Sequence, residues 1–156
     1  MSVIAESSLI TEEMRRLLGF KWQSPAIEIE KGMVRWFIEA VGDPNPLWWD
    51  DEYGKYMEYK GAIVPPTFLG SITLWGITER FAEMECPLGR SLSAGNEFEW
   101  FSPVSPGQRV TPVNRLAQVY KREGKTGKLL FLVIETKYKN EMGEVVARSS
   151  ETMVRY

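Results

Sequence analysis

The chain contains no histidine among its 156 residues. This absence excludes Ser-His-Asp triads, Cys-His dyads, histidine-ligated zinc and a histidine general base. The single cysteine, Cys86, excludes thiolate zinc sites and an internal disulfide framework, and it suits a reducing compartment. Acid–base chemistry near neutral pH must therefore use carboxylates, lysine or tyrosine with a shifted pKa, or come from another chain. We expect no metal and no cofactor.

The chain also lacks a large net charge, since its 19 Lys and Arg residues nearly balance its 21 Asp and Glu residues. This balance gives no electrostatic footprint for nucleic acid. Residues 1–10 lack the basic cluster and apolar core of a secretory signal. Residues 61–78 carry no charge, but Pro65 and Pro66 interrupt them, which favours a buried helix over a membrane span. We expect a cytoplasmic protein that binds neither nucleic acid nor membrane.

The chain shows neither a linker, a repeat nor a low-complexity tract, so we expect one domain over residues 1–156. Its first half predicts helices from capping residues and apolar spacing. Four are expected: one after Thr11 that ends at Gly19, one from Glu30 to Gly42, a short one over 50–60, and a long apolar one over 66–85. Residues 26–29 form a short extended candidate.

The second half predicts strands instead. They are expected over 97–100, 108–121, 128–139 and 144–156, with turns at 105–107 and 140–143 and a polar loop at 122–127. Pro112 either bends its strand or places it at a sheet edge. Long strands with short connections predict an α+β fold: a curved antiparallel sheet of about five strands around one long central helix. Such a sheet leaves an edge uncovered, so a dimer is its natural completion.

Residues 42–48 read Gly-Asp-Pro-Asn-Pro-Leu-Trp. This segment resembles the hydratase motif of the MaoC-like, R-specific enoyl-thioester hydratases, which is Gly-Asp-x-Asn-Pro, an aliphatic residue and then histidine. Residues 64–68 resemble the start of the central helix in the N-terminal-domain branch of that superfamily. The similarity extends over about residues 18–156. It implies a hot-dog fold, acyl-CoA or acyl-carrier-protein thioester substrates, and a homodimer or a heteromer with a catalytic MaoC-like hot-dog subunit.

The resemblance also implies a mechanism from which this chain departs. In active members, the motif Asp and His hold the water that adds to the double bond, and a glycine amide at the central helix receives the thioester oxygen. Here Trp48 stands at the histidine position, and its indole is a hydrogen-bond donor only. Pro66 stands at the glycine position and has no amide proton. If the correspondence shifts by one residue, the Thr67 amide becomes the donor.

The candidate site residues each have two interpretations. Asp43 and Asn45 are the candidate catalytic remnants of the motif, but Asp-Pro-Asn-Pro is also ordinary turn chemistry. Trp48 and Trp49 are candidates for lining an acyl pocket, and aromatic residues at such positions also commonly fill the core. The remaining candidates for substrate binding stand at the start of the central helix: Pro66, Thr67 and Phe68.

Three functional hypotheses follow. The favoured one is a non-catalytic hot-dog half of a heteromeric hydratase or dehydratase, which accommodates the acyl chain beside a catalytic partner. The second is a stand-alone homodimeric hydratase or thioesterase that uses Asp43 or another carboxylate. The third is a non-enzymatic module that binds acyl-CoA.

Overall fold

The computed structural model describes residues 9–72, 84, 86–125 and 127–156. The helices are α1 (Glu12–Leu17), α2 (Lys31–Val41), α3 (Asp51–Tyr56) and α4, which is described over 68–72; a short 3₁₀ helix spans Pro46–Trp48. Most of the long helix predicted over 66–85, namely 73–83 and 85, lies outside the described residues. Among the residues described, no helix has the length and apolar character needed to cross a membrane.

Residues at the helix ends explain where the first helices begin and end. The Thr11 side chain accepts a hydrogen bond from the Met14 amide at 3.2 Å, which caps α1 as predicted. Gly42 ends α2 in the left-handed conformation, with φ 70°, as predicted. The prediction that α3 extends to residue 60 was wrong: the helix ends at Tyr56, and Glu58 adopts a left-handed φ of 67°, which a helix cannot include.

Six strands form one antiparallel sheet. They are β1 (Lys21–Gln23), β2 (Ile27–Glu28), β3 (Ser91–Trp100), β4 (Arg109–Gly124), β5 (Gly127–Lys139) and β6 (Val145–Arg155). Their order is β1-β4-β5-β6-β3, and β2 also pairs with β4. The predicted curved antiparallel sheet is therefore confirmed, with one strand more than expected. The additional strand is β1, whose three residues are too few to show an alternating pattern.

Two strand boundaries differ from the prediction. β3 begins at Ser91 rather than residue 97, because pairing with β6 extends into a small, polar segment without apolar alternation. Residues 122–124 belong to β4 rather than to a loop, because the β4–β5 hairpin closes only at the Gly124–Gly127 pair. Gly127 has φ 135°, a conformation that glycine adopts readily. In both cases cross-strand pairing overrides the local composition.

Pro112 lies between the part of β4 that pairs with β1 and the part that pairs with β2. The Pro112 carbonyl accepts a hydrogen bond from the Ser24 amide at 3.0 Å. The backbone hydrogen-bonding groups of Pro112 therefore face the gap between β1 and β2, and not β5. The missing amide proton therefore removes nothing from the β4–β5 ladder. The predicted edge position is not found, because β4 lies between β1 and β5 in the sheet.

The buried residues form two apolar clusters separated by a polar row on the same face of the sheet. The first cluster lies near α2 and α4, and the second contains Met14, Met84, Leu116, Leu130, Leu132 and Ile134. Asn114, Thr136 and Ser149 lie side by side across β4, β5 and β6. Thr136 donates to Asn114 at 2.8 Å, which satisfies part of this buried row. The second cluster is thus separated from the region of the candidate site.

Helix α4 packs directly on β3. A Cβ on Gly70 would lie 2.7 Å from the Phe98 ring, so this close approach requires glycine. On its other side β3 has no paired strand among the described residues, and positions 91–97 are exposed. A long, exposed strand edge of this kind offers main-chain hydrogen bonds to a partner.

Candidate functional site

The segment 42–50 forms a tight loop at the end of α2. The amides of Gly42 and Asp43 both donate to the Ile38 carbonyl, at 2.9 and 3.1 Å, so the loop leaves the last turn of α2 in a fixed direction. The Asn45 side chain accepts from the Leu47 amide at 3.0 Å and caps the 3₁₀ helix. The Asp50 side chain then caps α3, accepting from the amides of Glu52 and Tyr53. The polar residues of this loop therefore hold its backbone.

Asp43 is held at both carboxylate oxygens. Its Oδ1 accepts from the Asn45 amide at 3.1 Å, the hydrogen bond of an Asx turn. Its Oδ2 accepts from Trp48 Nε1 at 2.9 Å, and both side chains are half-buried. The indole thus donates to the carboxylate with the only polar atom it has. Asp43 consequently has a structural role in this loop, whatever else it does.

A cavity of about 650 Å³ opens between α2 and this loop. Its walls come from α2, from the loop and from two separate positions in the chain: Lys31, Val34, Arg35, Ile38, Glu39, Gly42, Asp43, Pro44, Trp48, Trp49, Ala62 and Pro106. The volume lies within the range of small-molecule sites, and the walls are mainly apolar with a few charged side chains. Trp49 is 57% exposed, so its ring stands beside the opening.

The sequence model of the family described as "FAS1-like, dehydratase domain region" matches residues 16–149. The chain belongs to this family. A UPF0336 protein of Streptomyces griseus subsp. griseus is 29% identical over 133 residues, which are 84% of this chain and 86% of that relative.

Two solved structures show how members of the hot-dog superfamily resemble this fold. A chain of the HadBC (3R-hydroxyacyl-ACP dehydratase) complex of Mycobacterium tuberculosis superposes with a TM-score of 0.78 at 19% identity, covering 88% of this chain and 96% of that one. The MaoC-like dehydratase of Rhodospirillum rubrum gives a TM-score of 0.67 at 21% identity, covering 89% and 92%. The predicted MaoC-like hot-dog fold is confirmed.

Within this dehydratase-family fold, the predicted site residues fall into two groups. Asp43, Trp48 and Trp49 meet at the cavity, and Asn45 supports the loop beside it. The residues at the start of α4 are placed differently and do not line the cavity. Phe68 is 2% exposed and packs edge-to-face on Phe37 with ring centroids 5.5 Å apart.

Pro66 and Thr67 are exposed at the entry to α4. Neither Pro65 nor Pro66 has an amide proton, so the first amide of this segment is that of Thr67. The Phe68 amide donates to the Pro65 carbonyl at 3.0 Å. An oxyanion donor from this segment is therefore restricted to Thr67. The correspondence between these positions and the catalytic residues of dehydratases remains a prediction.

Sequence reasoning did not assign several cavity residues to the site. Val34 and Ile38 are the buried residues of α2, and they also form a cavity wall. Ala62 and Pro106 have no distinctive sequence signal, because only the fold brings them beside α2. Asp51 does not line the cavity, yet it contacts two residues that do, Lys31 and Ala62.

Three described carboxyl groups differ in electrostatic environment from one another. The Lys31 ammonium beside Asp51 lowers the pKa of that carboxyl, and the Ala62 amide lowers it further. Burial raises the pKa of Glu151, which lies on β6 and is 6% exposed. The hydrogen-bond donors to Asp43 are an indole and a backbone amide. Among the described residues, no group of three or more His, Cys, Asp or Glu side chains is arranged to hold a metal ion.

Proposed function

We propose that this chain is the acyl-binding, non-catalytic subunit of a heteromeric R-specific enoyl-thioester hydratase or 3-hydroxyacyl-thioester dehydratase. The observation that carries the proposal is the hydrogen bond from Trp48 Nε1 to Asp43 Oδ2. The family membership supports the reaction class, and the similarity to a chain of the HadBC (3R-hydroxyacyl-ACP dehydratase) complex supports a heteromer.

The Trp48–Asp43 contact argues against proton transfer by this chain. Hydration requires a base that takes a proton from water, and an indole cannot accept one. Asp43 already accepts a hydrogen bond at each oxygen, one from the Asn45 amide and one from the Trp48 indole, so both oxygens serve the loop. The chain has no histidine to replace the missing base. We therefore assign the catalytic Asp and His to the partner subunit.

The cavity is the site that we propose for the acyl group. Its apolar walls, which include Val34, Ile38 and Ala62, favour hydrocarbon, and the two indoles of Trp48 and Trp49 supply flat surfaces beside it. The thioester would be presented by coenzyme A or by an acyl carrier protein. No cofactor is required for this role.

The edge of β3 is the surface that we propose for the catalytic partner. Ten residues of β3 extend along this edge, and the pairing with β6 uses only their other side. A second hot-dog subunit that adds its own edge strand would continue the sheet across the interface. The assembly is then a heteromer in which only one subunit carries out proton transfer.

The test is co-expression of this chain with a MaoC-like protein that retains Gly-Asp-x-Asn-Pro and histidine, followed by assays of crotonyl-CoA and bulkier enoyl-CoA hydration. We expect no turnover by the isolated chain and turnover by the complex. Replacing the partner's motif histidine, the proposed general base, by alanine should lower the turnover rate of the complex by about 10²–10⁴-fold.

Two other outcomes would support different functions. Turnover by the isolated chain that is abolished in Asp43→Asn would indicate a stand-alone hydratase or thioesterase. Tight binding of acyl-CoA by the isolated chain, with neither turnover nor a co-purifying partner, would indicate a binding module. A Trp48→His variant should remain inactive alone, because the position that corresponds to the donor glycine is Pro66, which has no amide proton. Activity of this variant would indicate that the Thr67 amide serves as the donor instead.

A further inference from the structure

Two lining residues of the cavity are hydrogen-bonded to opposite oxygens of a single carboxylate that is not part of the lining. Lys31 Nζ donates to Asp51 Oδ2 at 2.8 Å, and the Ala62 amide donates to Asp51 Oδ1 at 3.0 Å. We propose that Asp51 is a positioning residue that sets the separation of the cavity walls and thereby the affinity for the acyl group. This inference rests on the proposed function, which assigns the cavity to that group.

The two partners of Asp51 belong to different walls. Lys31 is the first residue of α2, the helix that supplies Val34 and Ile38 to the cavity. Ala62 is 3% exposed and belongs to the segment that follows α3. Asp51 is the first residue of α3, so one side chain connects α2, α3 and the segment around Ala62.

The Ala62 side of this connection is rigid. A Cβ on Gly54 would collide with the Gly61 carbonyl, so the backbones of α3 and this segment are in direct contact. A Cβ on Gly61 would itself lie 3.0 Å from Asp51 Oδ1. The position of Asp51 relative to Ala62 is therefore fixed by packing, and the adjustable connection is the one to Lys31.

The Lys31 side of the connection is electrostatic and accessible to solvent. The side chains of Lys31 and Asp51 are 70% and 48% exposed, so the ion pair gains little in stability and can open. Lys31 lowers the pKa of Asp51, and the charge of Lys55 on α3 acts in the same direction. The carboxylate thus stays ionised to a lower pH than an ordinary Asp, and the connection is lost only as pH falls below that range.

The connection is tested by measuring the affinity of the full chain for octanoyl-CoA by calorimetry. Asp51→Asn keeps an oxygen for the Ala62 amide but sets an NH₂ group against the Lys31 ammonium. We expect octanoyl-CoA to bind about two- to five-fold more weakly to this variant. Asp51→Ala removes both contacts and should weaken binding about ten-fold.

The matched control is Glu52→Gln, which breaks the exposed Lys55–Glu52 ion pair on the same helix without touching the cavity. It should leave the affinity unchanged.

A double variant, Asp51→Asn with Lys31→Met, separates wall positioning from direct contact between Lys31 and ligand. If Lys31 acts through Asp51, the double variant binds no more weakly than Lys31→Met alone. The wild-type affinity should also fall at acid pH, and that pH dependence should be absent from Asp51→Asn.

The outcomes separate this inference from the proposed function. If the wild-type chain binds octanoyl-CoA and Asp51→Asn binds it equally well, Asp51 is not a positioning residue. If the wild-type chain binds no acyl-CoA, the proposed acyl site fails. In that case amide hydrogen exchange still tests the connection: Asp51→Ala should speed exchange at Ala62 about ten-fold while Glu52→Gln does not, and unchanged exchange would overturn it.

Discussion

The loop around Asp43 and the sheet surface around Glu151 give a carboxyl group different surroundings. Asp43 lies in the loop with a hydrogen-bond donor at each oxygen, one from the backbone and one from an indole. Glu151 lies on β6 between Asn96 and Ile134, is 6% exposed, and has its pKa raised by burial. The carboxylate in the loop is therefore hydrogen-bonded at both oxygens, whereas burial disfavours the ionised form of the carboxyl group on the sheet.

This difference shows that a sequence can resemble a catalytic motif without having the contacts that proton transfer requires. A perturbed carboxyl group is usually the better candidate for proton transfer, and here it lies outside the cavity. The motif carboxylate is fixed, and it adjoins a ring that cannot exchange protons. Asp43 therefore holds the turn of this loop through both of its oxygens.

The largest expected effect is that of Trp48→Ala. This substitution removes a half-buried ring from the cavity wall and also the donor to Asp43. We expect a loss of about 2–3 kcal/mol in the free energy of unfolding, measured by urea denaturation. Trp48→Phe keeps most of the ring volume and should cost only about 1 kcal/mol. Equal losses in the two variants would mean that the hydrogen bond accounts for the whole effect.

Asp43→Asn tests the loop itself. The amide has one oxygen in place of two, so it can accept from either Asn45 or Trp48 but not from both. We expect destabilisation of about 1 kcal/mol by the same denaturation assay. A loss below about 0.3 kcal/mol would show that Asp43 is not a structural element of the loop, and the contrast with Glu151 would disappear.

Glu151→Gln tests the opposite case. The folded-state pKa of Glu151 lies above its unfolded value, so its favourable contribution is complete below the unfolded pKa and is lost as pH rises through the folded pKa. The neutral glutamine should therefore raise the free energy of unfolding at pH 7 by about 1 kcal/mol. The gain over wild type should shrink as the pH is lowered towards 4. Destabilisation at pH 7 would instead mean that the ionised carboxylate has a stabilising partner.

The smallest expected effect concerns charge at the rim of the cavity. Arg35 and Glu39 form an ion pair at 2.9 Å, and their side chains are 75% and 61% exposed. Arg35→Ala should change the free energy of unfolding by no more than about 0.5 kcal/mol, and added salt should reduce even that. A larger change would show that charges near the loop contribute more to stability than the Asp43 contacts suggest.

Local sequence rules predicted the parts of this fold that depend on neighbouring residues. Thr11 and Gly42 mark helix ends because a hydroxyl cap and a left-handed conformation are local properties. The turn around Asp43 was predicted for the same reason. The strand predicted over 128–139 is also confirmed, since β5 spans Gly127–Lys139.

The remaining features depend on contacts that are distant in sequence or specific in direction. The first half of β3 is a strand because β6 pairs with it, and its own small residues give no signal. The Trp48–Asp43 bond requires the 3₁₀ turn that aims the indole at the carboxylate. The contact between Asp51 and Ala62 forms over a separation of eleven residues, through a close approach at Gly54. The Asp-Pro-Asn-Pro turn could therefore be predicted from the sequence, but the hydrogen bond that the Asp43 carboxylate accepts from Trp48 could not.

The central claim is most directly tested by the steady-state hydration rate of two variant complexes. In one, this chain carries Asp43→Asn beside an intact MaoC-like partner; in the other, the wild-type chain is paired with a partner whose motif histidine is alanine. We expect a rate within about two-fold of the wild-type complex for the first and a loss of about 10²-fold or more for the second. A first complex as inactive as the second would show that Asp43 takes part in the chemistry.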